Sequence, residues 1–123
     1  MIVDTSVLIA IMAKEPGYRE YLEKILRSDD TKISAGTAVE FELVARKYGD
    51  PPQVLHALGI EITPVDQNHL YWARHAIQNF ARGSGSPAKL NFGDCFSYAA
   101  SRALNEPLLF KGTDFSATDV IAA

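Results

Sequence analysis

The sequence predicts an α/β protein of three layers, with helices on both faces of a mainly parallel central sheet of four to five strands. Three observations lead there. Short apolar runs alternate with stretches of helical periodicity along the chain. The late run Leu108-Leu109-Phe110 is apolar at every position, which suits a central strand covered on both faces. No connection is long enough to separate two cores, so residues 1–123 are expected to form one domain.

In order, Ile2-Val3 is a short buried strand, Asp4-Thr5-Ser6 a turn, and Val7 to Met12 a helix capped by Thr5 or Ser6. Glu15-Pro16-Gly17 breaks that helix and starts another, whose apolar face is Tyr18, Tyr21, Leu22, Ile25 and Leu26. Lys32 to Ala35 is a second strand. Thr37 then caps a helix to about Tyr48, closed by Gly49 and Pro51-Pro52, with a short helix from Gln53 to Leu58 behind it. Ile60 to Val65 gives a third strand, and Asp66 caps a long helix with Leu70, Ala73, Ile77 and Phe80 as its inner stripe. Arg82 to Pro87 is a loop by composition. Asn91 or Gly93 opens the last helix, with Phe96, Ala99, Ala100, Ala103 and Leu104 turned inward.

Composition narrows the function classes. A net charge of −3 argues against a protein that simply coats nucleic acid, without excluding an enzyme that touches it locally. No stretch is apolar enough to span a bilayer, and the N-terminal residues lack the pattern of an export signal, so a cytoplasmic, membrane-free protein is expected. A lone cysteine, Cys95, rules out an internal disulfide and a cysteine-rich zinc site; its expected role is a small buried side chain. His69 and His75 lie six residues apart, a spacing that does not share a helix face, and His56 is remote, so a structural or exposed role is expected for all three. Tyr71 and Trp72 suit packing or a dimer contact better than base stacking.

Four acids carry the chemistry. Asp4 ends the first strand, Glu40 lies in the first turn after the second, Asp94 begins the late helix, and Asp114 follows the last strand. All four would gather at the carboxyl edge of the sheet, where open α/β folds bind ligands. Two unit charges about 5 Å apart repel by roughly 3 kcal/mol at an effective dielectric of about 20, so six such pairs reach on the order of 20 kcal/mol. A typical domain has only about 5–15 kcal/mol of stability, so either protons or a divalent cation must relieve the cluster. Oxygen-only ligands favour Mg²⁺ or Mn²⁺, and such ions promote in-line attack on phosphodiesters. Each acid alone has an ordinary local role, Glu40 in a Thr-x-x-Glu capping box from Thr37, Asp94 at a helix dipole, Asp114 in a turn. Their joint placement makes the case.

Read together, Ile2 to Leu8, Glu15-Pro16, Glu40, Leu90-Asn91-Phe92-Gly93-Asp94-Cys95 and Leu108 to Phe115 resemble the PIN-domain VapC toxins in order, spacing and length. The resemblance implies an acidic site of Asp4, Glu40, Asp94 and Asp114, with Asp4, Asp94 and Asp114 as metal ligands for one or two Mg²⁺ or Mn²⁺ ions. Ser6 would support Asp4 by hydrogen bonding. Thr113 stands where relatives carry a longer polar residue, and Asp119 belongs either to the rim of the site, with a part in a second metal position, or to a plain turn. It further implies RNA cleavage, a homodimer, and a VapB-like antitoxin that reaches into the pocket with a basic side chain. Arg74, Arg82, Lys89, Arg102 and Lys111 are candidate contacts for the RNA backbone.

Two other readings compete. A phosphorelay receiver has a similar size, yet it needs paired acids after the first strand and a phosphoacceptor after the third, where Asp4 stands alone and Asp66 reads as a helix cap. A catalytically silent binding module of the same fold is the other, since fold does not fix activity.

Overall fold

The computed structural model describes residues 1–123. Its strands are β1 (Ile2–Val3), β2 (Lys32–Ser34), β3 (Glu61–Thr63) and β4 (Leu108–Leu109), and its helices are α1 (Thr5–Ala13), α2 (Tyr18–Arg27), α3 (Ala35–Ala45), α4 (Pro51–Ala57), α5 (Gln67–Asn79) and α6 (Phe92–Leu104). The four strands pair in the order β3-β2-β1-β4, all parallel. Every strand therefore points its carboxyl end to the same edge.

Side chains alternate across this sheet and divide the core in two. Val3, Ile33 and Leu109 face Val7, Leu8, Ile25 and Phe41 from α1 to α3. Ile2 and Leu108 face the other way, onto Ala76 of α5 and Cys95, Tyr98 and Ala100 of α6. Central β1 has both residues fully enclosed, so two residues are enough of a strand there. β3 and β4 are the edge strands: β3 leaves Ile62 about half exposed, whereas Leu108 and Leu109 of β4 are buried, so the apolar run expected to be a central strand lies at an edge that other parts of the chain cover.

Three local expectations are corrected. Helix α1 is capped by Asp4, not by Thr5 or Ser6, because the Asp4 carboxylate takes the Ser6 N–H at 3.0 Å. Helix α3 starts at Ala35 with Ser34 as its cap, so Thr37 is buried inside the helix and no capping box links it to Glu40. In α5 the inward positions are His69 and Ala76, whereas Leu70 and Ile77 are exposed; with Trp72 beside them, the stripe is rotated by about one residue from the apolar pattern. A histidine took a core position that apolar periodicity gave to leucine.

Helix α6 is buried nearly all round, which makes it the spine of the molecule. It packs on α5, on α3 and against β1, and it can approach α3 closely because Gly36 leaves room for the Phe96 ring. A Cβ at residue 36 would stand 2.4 Å from that ring. Cys95 is an enclosed free thiol whose pKa is pushed up by burial, consistent with a packing role.

Candidate active site

The carboxyl edge of the sheet is built from hydroxyl groups as much as from acids. Asp4 is 5 % exposed and its two oxygens receive three donors: Ser97 Oγ at 2.6 Å on one, and Ser6 N–H at 3.0 Å and Ser6 Oγ at 2.7 Å on the other. The Ser97 hydroxyl lies 3.1 Å from that of Thr37, so α6, α3 and the end of β1 are joined through one buried chain. Next to it, Thr5 Oγ1 donates to Glu40 Oε1 at 2.6 Å. Burying a carboxylate without such donors is costly, and these hydroxyls are what make the placement tolerable.

Asp94 closes the pocket from α6. Its carboxylate accepts the Asn91 N–H at 3.0 Å, and the Asn91 side chain takes the Asp94 N–H at 2.9 Å, a complete capping box. The dipole reading of Asp94 is thus correct locally without excluding a second role. Gly93 lets Glu40 approach: an added Cβ would fall 1.8 Å from Glu40 Oε2. Asp114 is exposed, presented by the turn that begins at Gly112 (φ 93°) and fixed below by buried Phe115.

Burial pushes the Asp94 carboxyl up to about 6, against the Asn91 hydrogen bond, and the charges of Asp4, Asp114 and Glu40 add to the rise. Asp94 therefore senses the other three acids. Desolvation, however, outweighs their repulsion in this rise, and the roughly 20 kcal/mol expected of mutual crowding is too large, since no three of the acids are gathered at one point.

The sign of the pH effect follows. The folded protein holds the Asp94 proton more tightly than the unfolded chain does, so this contribution to stability is full below about pH 4 and is lost as pH rises through about 6. After discounting for partial solvent contact, the loss amounts to about 1–2 kcal/mol. Urea unfolding in EDTA at pH 4.5 and 7 should show this difference in the native protein and not in Asp94→Asn.

The remaining candidates divide. Ser6 supports Asp4 as expected and also accepts the Lys111 N–H at 3.0 Å, tying the segment after β4 to the pocket. Thr113 is exposed beside Asp114, with no side-chain hydrogen bond. Asp119 lies among other partners: Tyr98 donates to it at 2.7 Å, with His75 and Arg102 each 3.9 Å away. Arg102 also stacks on Trp72 at 4.6 Å, so that arginine and Trp72 are engaged in packing, whereas Tyr71, edge-on to Trp72, is exposed. Asp66 caps α5 by accepting the His69 N–H, leaving the receiver reading without its phosphoacceptor. His56 is exposed and His69 buried.

Sequence reasoning missed Thr5, Thr37 and Ser97 as supports of the acids. Only Ser97 left a usable trace, a polar residue one turn after Gly93-Asp94 on the same helix. Ser97→Ala would leave one Asp4 oxygen buried without its donor, and is expected to cost about 1–3 kcal/mol in a thermal melt.

Two carboxylates retain an oxygen with no partner in the protein, Asp94 Oδ1 and Glu40 Oε2, and Asp114 has both free. No lysine or arginine pairs with any of the four acids. This donor set fits a hard divalent cation that keeps part of its water shell, and it does not fit a site that binds its ligands by basic side chains.

A parallel α/β sheet with acids of distant origin at its carboxyl edge places the chain among the open α/β folds that bind ligands at that edge. The PIN domain family model matches residues 1–121, and the chain belongs to that family. It is 38% identical to Ribonuclease VapC42 of Mycobacterium tuberculosis over 126 aligned positions, covering 98% of this chain and 96% of that protein. Ribonuclease VapC28 of the same organism is 39% identical, with 98% and 95% covered. Among solved structures, a toxin-antitoxin complex from Klebsiella pneumoniae superposes with TM-score 0.75 at 21% identity, covering 99% of this chain and 95% of that one. M. tuberculosis VapC20, described as a sarcin-ricin loop cleaving toxin, gives TM-score 0.72 at 19% identity, with 99% and 97% covered. These structures share the three-layer fold described above.

Proposed function

We propose that this chain is an endoribonuclease toxin of the VapC type, hydrolysing RNA phosphodiesters with the help of Mg²⁺ or Mn²⁺. The observation that carries the reading is the meeting of Asp4, Glu40, Asp94 and Asp114, from four separate stretches of chain, at one sheet edge with no cation of the protein's own upon them. The VapC ribonucleases to which the chain is similar over nearly its whole length support the substrate class.

Asp4, Asp94 and Asp114 would hold the ion or ions, with Glu40 close enough to orient a water. A bound divalent cation supplies charge neutralisation at the phosphate and a water of lowered pKa. The chain's own part is orientation. Ser6 and Ser97 fix the Asp4 oxygens, Thr5 fixes Glu40, and the capping box fixes Asp94, so these three are anchored and the exposed, unpartnered Asp114 would do most of the closing onto an ion. Asp119 is read as a rim residue, held by Tyr98.

A VapB-like antitoxin is the proposed partner, supported by the toxin-antitoxin complex among the structural neighbours and by a cavity of about 360 Å³ beside the acids. Val39, Leu43 and Phe92 border it and are 69%, 60% and 82% exposed, with Glu40 at the edge. An apolar segment followed by a basic side chain suits that sequence of surfaces. A homodimer is proposed as well, with the outward face of α5, where Leu70, Tyr71 and Ile77 are exposed, as the apolar surface available to it. No helix is long and apolar enough to cross a membrane, and a cytoplasmic location is part of the same proposal.

The test is direct. Purified protein should cleave RNA with Mn²⁺ or Mg²⁺ and stop in EDTA. Metal at about 100 times its dissociation constant should also stabilise the protein by about 2.7 kcal/mol in a thermal shift. Cleavage that persists in EDTA would reject the metal.

A further inference from the structure

Of the 12 lysines and arginines, Lys111 alone is hydrogen-bonded into the network of the acids. Its N–H reaches Ser6 Oγ, which in turn donates to Asp4, so its main chain stands two hydrogen bonds from the deepest carboxylate. Asp114 follows three residues later. The ammonium nevertheless avoids all four acids and pairs with Glu15 at 2.7 Å. Had it turned to Asp4 or Asp114, it would fill the position a metal ion needs.

Glu15 is held ready for this contact by its backbone. Lys14 adopts a left-handed conformation (φ 53°) at the end of α1, the Glu15 N–H donates to Ala10 O at 2.9 Å, and Glu15 O accepts the Tyr18 N–H at 3.0 Å. Both side chains of the pair are about a third exposed, 33% for Lys111 and 35% for Glu15. An ion pair this open contributes little and exchanges readily for a stronger anion. A cavity of about 380 Å³ lined by Lys14, Glu15, Tyr18 and Arg19 adjoins it, giving a strand room to pass.

We propose that Lys111 grips an RNA backbone phosphate beside the scissile one, and that Glu15 is a removable counter-ion which keeps the ammonium off the acids until substrate displaces it. The proposal rests on the nuclease reading and adds which cation receives the RNA and what occupies it beforehand. Lys111 is a substrate-binding residue in this scheme. Glu15 is a positioning residue that acts through it.

The two variants differ in sign. With a fluorescein-labelled RNA hairpin as probe, binding is followed by anisotropy across a salt series with Mg²⁺ present, in an Asp94→Asn background that prevents turnover. Adding Lys111→Met should weaken binding roughly 3–10-fold and reduce the slope of log affinity against log salt by about 0.7–0.9, while Lys111→Arg should keep both. Adding Glu15→Gln should tighten binding by a factor of similar size, a gain that misfolding does not produce. Equal weakening by Lys111→Met and Glu15→Gln, or an unchanged salt slope in Lys111→Met, would overturn the proposal. If the otherwise native protein still cleaves RNA with Mn²⁺, such a result leaves the nuclease reading standing; if it does not cleave, that reading falls first.

Discussion

Asp94→Asn is expected to lower RNA cleavage by on the order of 10³-fold while making the metal-free protein more stable near neutral pH. Asparagine can still accept the Asn91 N–H with its carbonyl oxygen, so the capping box survives. What disappears is a charge that burial and three neighbouring carboxylates disfavour. The expected gain is about 1–2 kcal/mol at pH 7 and close to nothing at pH 4.5. Initial cleavage rates with Mn²⁺ and urea midpoints in EDTA measure the two halves separately. A variant that loses activity together with stability would point to Asp94 as a structural residue only. Opposite movement of the two is the mark of a group kept for function at a cost to the fold.

Gly93→Ala is the second large effect, and its cost should fall on activity instead of folding. An alanine in α6 gains about 0.5–1 kcal/mol of helix preference over glycine. Its Cβ, however, would occupy the place of Glu40 Oε2, 1.8 Å away. The carboxylate sits at the end of a flexible side chain and can swing outward, losing the 2.6 Å hydrogen bond from Thr5. Cleavage should fall by roughly 10–100-fold, the range for disturbing the support of a metal site, with the melting temperature nearly unchanged. Gly93→Ser should behave alike. A fully active Gly93→Ala would show that Glu40 need not stand where it does.

Much of this was readable from residue order. The βα alternation and the all-apolar Leu108-Leu109 run gave the parallel sheet, whose strands deliver all their carboxyl ends to one side, with Asp4 at a strand end and Asp94 at a helix start as expected; Glu40, expected in the first turn after β2, lies instead in the second turn of α3, because that helix begins directly at Ala35. Asn91 with Asp94 was readable as a helix start because capping is a local interaction. Helix faces were less secure: apolar periodicity misplaced α5 by a residue, because His69 is buried and Leu70 is left outside. The hydroxyl chain of Thr5, Thr37 and Ser97 was not legible, for it joins residues up to 93 positions apart and each serine or threonine alone has an ordinary local use. Repulsion was overstated for the same reason. Sequence gives the number of charges and not the width of the cleft that separates them.

Asp114, the last of the four acids in sequence order, stands on the turn behind β4, and β4 is held by pairing Leu108 with Ile2 and Leu109 with Val3 of β1. Loosening β4 from β1 would therefore displace Asp114 while leaving Asp4, Glu40 and Asp94 on elements of their own.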